Sequence, residues 1–171
     1  MKEVADRLRA LRRTAMIDPG DWPANLEGRP DLLTELLPHR PPMLLVDELV
    51  GWDRGTEFIV GRRVVSRDHI GLSGHFPEAP VLPGTLLVEM LGQVGVALFR
   101  LLLADEFQGE EFQVRATKIL GAHFTGEVRP GDSVDLVVRA VGYDTFLGEC
   151  EAQALVEGRV VAAMAGEVAI M

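Results

Sequence analysis

Apolar and polar positions change period several times along this chain, and each change marks an element. Val4, Leu8 and Leu11 recur at helical spacing with basic residues between them, so residues 3–16 predict a short amphipathic helix. Residues 17–30 (IDPGDWPANLEGRP) hold three prolines and two glycines and predict a loop. Asp31 is expected to cap a helical run over 32–37, which Pro38 ends. Residues 43–50 and 57–66 predict strands, with the turn-rich GWDRG between them closing a hairpin. Residues 68–84 form a loop containing Pro77, Pro80 and Pro83. It leads into residues 85–104 (TLLVEMLGQVGVALFRLLLA), a helix apolar on nearly every face. Strands are expected again over 112–120, 133–141, 146–156 and 160–170. The turns GYDT and VEGR divide the last three into an antiparallel meander.

A helix apolar all round must be wrapped by other elements, and a single sheet has one large apolar face to offer. The pattern therefore predicts an α+β fold, an antiparallel sheet curled around one long central helix. Residues 1–30 read as an N-terminal extension and 31–171 as the folded body. The central helix is long enough to cross a bilayer, but it carries Glu89, Gln93 and Arg100. A charge at mid-membrane costs on the order of 3 kcal/mol, so no membrane span is expected.

The 171 residues suit one domain with a real core, and an apolar share of 47% excludes wholesale disorder. Acidic residues outnumber basic ones 26 to 17, a net charge of -9 that argues against nucleic acid as a partner. A lone cysteine, Cys150, excludes an intrachain disulfide and a Cys-rich metal site, and its strand pattern places it in the core. The charged residues interleaved through positions 1–13 leave no apolar signal-peptide run. A cytoplasmic location is the expectation.

Chemistry concentrates in GHFPEAPVLPG, residues 74–84. Three prolines in seven residues make a stiff loop, which holds His75 beside the N-terminus of the apolar helix. Glu89 follows in that helix, with Gln93 one turn on along the same face. A carboxyl in so apolar a setting must be hydrogen-bonded or neutral, and burial raises its pKa, as a general acid requires. His75, Glu89 and an amide N–H could form an acid, a base and an oxyanion site. A structural loop histidine and a solvent-facing glutamate fit the same residues, and their types alone leave both readings open.

HFPEAPVLPG followed by TLLVEMLGQ resembles the active-site signature of the 3-hydroxyacyl-[acyl-carrier-protein] dehydratases of type II fatty acid synthesis, which have the hotdog fold. LLPHRPPMLLVDELV is similar to that family's opening segment, and PGDSVDLVV to its Pro-Gly-Asp turn into a strand. The resemblance runs from about residue 32 to the C-terminus. It implies His75 and Glu89 as catalytic residues, with Phe76, Val81, Gly84 and Gln93 at the substrate. The Gly84 N–H would bind the thioester carbonyl, the Val81 carbonyl would orient the imidazole, and Gln93 would hold Glu89. No cofactor or metal is implied, since the substrate rides on the phosphopantetheine of an acyl carrier protein. A homodimer or a trimer of dimers is implied, with His75 from one subunit and Glu89 from the other.

Several positions depart from the family pattern. Glu78 stands where glycine is commoner, and Leu120 and His123 replace the Asp and Arg expected ahead of Phe124. FTGEVRP is closer to the related bifunctional dehydratase/isomerase, which has Asp and Cys at the positions of Glu89 and Thr85. That enzyme, a hotdog thioesterase and a non-catalytic acyl-binding subunit are the alternatives. His39 and His69 are expected to be structural or solvated. Arg62, Arg63, Arg67, Lys118 and Arg129 are the expected basic docking patch for the carrier.

Overall fold

A computed structural model describes residues 2–69 and 71–171. Helix α1 (Lys2–Leu11) is followed by a 3₁₀ turn at Pro19–Asp21 and the short α2 (Leu32–Leu36). Strands β1 (Glu48–Asp53) and β2 (Phe58–Val64) form a hairpin, and the loop after them enters α3 (Gly84–Leu102). Strands β3 (Val114–Phe124), β4 (Ser133–Tyr143), β5 (Leu147–Val156) and β6 (Arg159–Ile170) complete the chain. All pairings are antiparallel, in the order β1-β2-β4-β5-β6-β3.

The sheet wraps α3 as the pattern requires. Met90, Leu91, Val94, Ala97, Leu98 and Phe99 of α3 are fully buried against Ile59, Leu136, Val138, Ala152 and Met164. Among the described residues α3 is the one helix long and apolar enough to cross a membrane, and its place inside the sheet accounts for that composition. Gly148 of β5 permits the closest approach, because a β-carbon there would sit 2.5 Å from the Phe99 ring.

Residues of alternate parity point the other way, and the extension covers them. Ala163 and Ala165 of β6 pack on Leu8 and Leu11 of α1, while Val60, Val137 and Leu155 meet Met16, Ile17 and Trp22. Gln153, fully buried in β5, fastens this layer. Its Nε2 donates to the carbonyls of Leu11 and Thr14, and its Oε1 accepts from the Met16 amide at 2.7 Å. Arg7 adds ion pairs to Glu149 and Glu151. Leu120, one of the departures from the family pattern, packs in the α1 cluster, and Gly121 beside it leaves space for Leu8.

Most element boundaries shift from the sequence reading, β3 for one running to Phe124 where residue 120 is expected, and three departures have a visible cause. The first helix ends at Leu11 rather than at residue 16, because Gln153 takes up the carbonyls that would continue it. The first strand begins at Glu48 rather than at residue 43, because the main chain at Met43 and Leu45 bonds Gln93 instead of a neighbouring strand. The side chain of Asp31 makes no capping bond; only its carbonyl engages α2, accepting from the Glu35 amide and the Thr34 hydroxyl.

The two sheet edges differ. On β1, Asn25 bonds both main-chain groups of Trp52 and the Leu26 amide donates to Val50, so neighbouring chain covers that edge. The outer edge of β3 has no such cover among the described residues, and Ile119 and Phe124 are exposed there.

Candidate active site

The loop before α3 is pinned from within and from outside. The His75 amide donates to Leu72, the Val81 amide to His75, and Phe76 and Ala79 exchange a pair of bonds. The Leu82 amide then ties the loop to Val128, just beyond β3. His75 Nδ1 lies 2.9 Å from the Val81 carbonyl oxygen. A carbonyl can only accept, so Nδ1 carries the hydrogen and the neutral imidazole keeps its lone pair on Nε2. The ring stacks on the exposed Phe76 with centroids 4.4 Å apart.

Glu89 is held from within α3. Gln93 is buried; its Nε2 donates to Glu89 Oε1 at 2.8 Å and to the Met43 carbonyl at 2.7 Å, while its Oε1 accepts from Leu45 at 3.0 Å. With Oε1 engaged as an acceptor, the proton of a neutral carboxyl belongs on Oε2. The Glu89 side chain is 39% exposed, so the single chain does not bury it as the sequence reading expects. His39 Nε2 lies 3.8 Å from Oε1, a neighbour of Glu89 that the sequence reading does not name. The signal that could have found it is its place in LLPHRPPMLLVDELV, immediately ahead of the main chain that Gln93 grips.

Gly84 opens α3 after Pro83, and the Phe124 ring stands 2.7 Å from where its β-carbon would be. The first amides of a helix have no partner within it, and among the described residues those of Gly84 and Thr85 have no backbone partner outside it, which leaves them to meet a ligand oxygen. Phe76, Val81, Gly84 and His75 thus gather at one end of α3, on the side of β3 and Val128. Glu89, Gln93 and His39 gather on the side of residues 38–45. Among the described residues no hydrogen bond or ion pair joins His75 to Glu89 within the chain.

Other candidate groups fall away. Burial pushes the Cys150 thiol up to about 12, so it is a core residue and not a nucleophile at neutral pH. No cluster of three metal-ligating side chains occurs among the described residues. His69 is buried, as expected of a structural residue. The expected basic patch is largely neutralised: Arg62 pairs with Asp135 and Glu48, Arg63 with Asp47, and Arg129 with Glu127.

Comparisons with known proteins bear on the family and the fold. The sequence model of the FabA-like domain matches residues 37–165. A 3-hydroxyacyl-[acyl-carrier-protein] dehydratase FabZ of Xanthomonas euvesicatoria is 38% identical over 127 residues, 74% of this chain and 82% of that enzyme. The namesake enzyme of Latilactobacillus sakei is 37% identical over 72% of this chain and 84% of its own length. Among solved structures, the dehydratase heterocomplex ApeI:P of Xenorhabdus doucetiae matches with a TM-score of 0.67 at 18% identity, covering 80% of this chain and 89% of that one. A Ralstonia eutropha protein described as a putative thioesterase matches at 0.63 and 14% identity, covering 81% and 96%. These two likenesses bear on the hotdog fold alone. With the domain match spanning the sheet, α3 and the His75 loop, and with relatives aligned over most of both chains, this chain belongs to the FabA-like, 3-hydroxyacyl-[acyl-carrier-protein] dehydratase family.

Proposed function

We propose that this protein removes water from a 3-hydroxyacyl group carried on an acyl carrier protein, giving the trans-2-enoyl thioester of fatty acid biosynthesis. His75 Nε2 takes the C2 proton, which the thioester acidifies, and the C2–H electrons form the new double bond. The C3–O bond breaks, and the hydroxyl leaves as water with the proton of Glu89 Oε2. The Gly84 amide donates to the thioester oxygen as charge develops on it, and Phe76 lines the approach. His75 ends with one proton more and Glu89 with one fewer, and return of that proton through solvent resets the site. The balance closes on protein groups, without metal or redox cofactor.

The observation that carries this reading is the His75 Nδ1 contact with Val81, which leaves Nε2 as a fixed, accepting base. The active site is formed by two copies paired along β3, the uncovered edge, with His75 of one facing Glu89 of the other. The enzyme works in the cytoplasm, where its carrier is found.

Incubation with a 3-hydroxyacyl-carrier protein tests the reading through the absorbance of the conjugated enoyl thioester. Its appearance with water as co-product supports dehydration. Release of free thiol would instead mark a thioesterase, and a double bond moved to C3 the dehydratase/isomerase.

A further inference from the structure

A cavity of about 850 Å³ opens farther along α3 from Glu89, at Val96 and Arg100. Pro38 and Arg40 line it, so it abuts His39, and Val96 and Arg100 line it from α3. At 3.6 residues per turn, positions 89, 93, 96 and 100 fall on one stripe of a helix, so the cavity continues the face that carries Glu89. Eleven residues at 1.5 Å each place Arg100 about 16 Å beyond Glu89.

Arg100 is an unusual occupant of a core helix. Its Nη1 donates to the Phe112 carbonyl at 2.6 Å, and its guanidinium lies 5.1 Å from the centre of the buried Phe112 ring. Its Nε is buried and has no hydrogen-bond partner. Among the described residues no carboxylate comes within 4 Å of Arg100, nor of Arg40 and Arg115, the other two arginines at this cavity. Elsewhere Arg54, Arg62, Arg63, Arg129 and Arg139 have acidic partners, while Arg12, Arg13, Arg29 and Arg67 have none among the described residues. Arg40 and Arg115 are exposed and screened by solvent, so the positive charge set into the cavity wall is that of the half-buried Arg100. Glu35 and Glu111 also line the cavity and are exposed just as Arg40 and Arg115 are, so these four charges are screened and offset one another.

We infer that this cavity receives the far end of the acyl chain and that Arg100 binds a carboxylate there, so that the preferred substrate class is a 3-hydroxyacyl thioester with a terminal carboxyl group. The inference rests on the dehydratase reading for the position of the reacting carbons near Glu89. An extended chain advances about 3.5 Å per three bonds, so roughly a dozen bonds separate C3 from the carboxylate. The planar guanidinium suits that partner, since it can offer two parallel N–H groups to the two oxygens.

The test uses pantetheine thioesters, which lack the carrier's phosphate, in matched pairs ending in methyl or carboxylate over a series of chain lengths. At one long chain length, the wild-type kcat/KM for the carboxylate-ended member should exceed that for its methyl-ended partner by roughly tenfold or more, the worth of one charge-assisted hydrogen bond. Arg100→Met should bring the ratio to about one, and Arg100→Lys should restore part of it. A wild-type protein without that preference overturns the inference with no variant needed, as does an equal ratio in wild type and Arg100→Met. So does an Arg100 effect that appears only when 4′-phosphopantetheine replaces pantetheine, since the arginine then holds the arm's phosphate. If the wild type dehydrates neither member, the dehydratase reading fails separately. Calorimetric titration with free tetradecanedioate and tetradecanoate then decides the cavity: a preference for the dioate that Arg100→Met abolishes upholds it, and equal affinities overturn it.

Discussion

The amide of Gln93 donates to Glu89 one turn earlier in α3 and, through its other contacts, grips the main chain at Met43 and Leu45. One buried side chain therefore aims the Glu89 carboxyl and fastens residues 43–45 to the central helix. Gln93→Leu should lose both roles. Stability should fall by about 2 kcal/mol, because the buried Leu45 amide and the part-buried Met43 carbonyl are left unpaired. The dehydration rate should fall at least tenfold with the mis-aimed carboxyl. Denaturant unfolding and kcat measure the two effects independently. Intact stability with a lost rate would mean that the grip on residues 43–45 contributes nothing.

Gln153 offers the same test for the extension, at a distance from the chemistry. Gln153→Leu strands the carbonyls of Leu11 and Thr14 and the Met16 amide, for a loss of about 2 kcal/mol or more. The expected signature is early proteolytic clipping within residues 1–20, since that layer depends on this residue and on Arg7. An unchanged proteolysis pattern would show that the apolar contacts of Leu8 and Leu11 suffice.

These two glutamines also mark where legibility in the sequence ends. The length and apolarity of α3 announce a wrapped helix, and the turns GYDT and VEGR announce the β4–β6 meander. The His75 loop and the position of Glu89 were legible because their spacing is local and their motif specific. Residues 43–47 look like strand by composition, but the amides of Met43 and Leu44 turn to Arg40, and the Gln93 side chain, reaching in from a distant point in the chain, takes the Met43 carbonyl and the Leu45 amide. Gln153 reads as an ordinary outward position of an alternating strand until α1 is laid over it. His39 gives no periodic signal, and its place beside Glu89 comes from the packing of α2 and the following loop against α3. Arg62, Arg63 and Arg129 look like a free basic patch because their acidic partners are not recognisable from spacing alone.

Cys150 yields a pH prediction. Burial moves its thiol from 9.0 to about 12, so from about pH 9 upward the unfolded chain loses this proton while the folded chain keeps it. The thiol's contribution to stability is therefore complete below pH 9 and is lost as pH rises towards 12. Cys150→Ala should flatten that alkaline decline relative to wild type in urea midpoints taken across the range. At pH 8 the native thiol should resist alkylation until the protein opens. Rapid native labelling would contradict its place against Gly95 on α3.

The central claim is that His75 and Glu89 act together across a pair of chains, and subunit mixing tests it most directly. His75→Ala and Glu89→Gln proteins should each fold and each fail to dehydrate a 3-hydroxyacyl-carrier protein, the first for want of a base and the second because an amide cannot supply the acid proton. Co-expressed, half of the randomly formed dimers are mixed, and each mixed dimer holds one site with both lesions and one with neither. About a quarter of all sites should therefore regain wild-type composition, and dehydration should return to about a quarter of the wild-type rate. No recovery despite verified exchange of subunits, or full activity in either variant alone, would contradict the account.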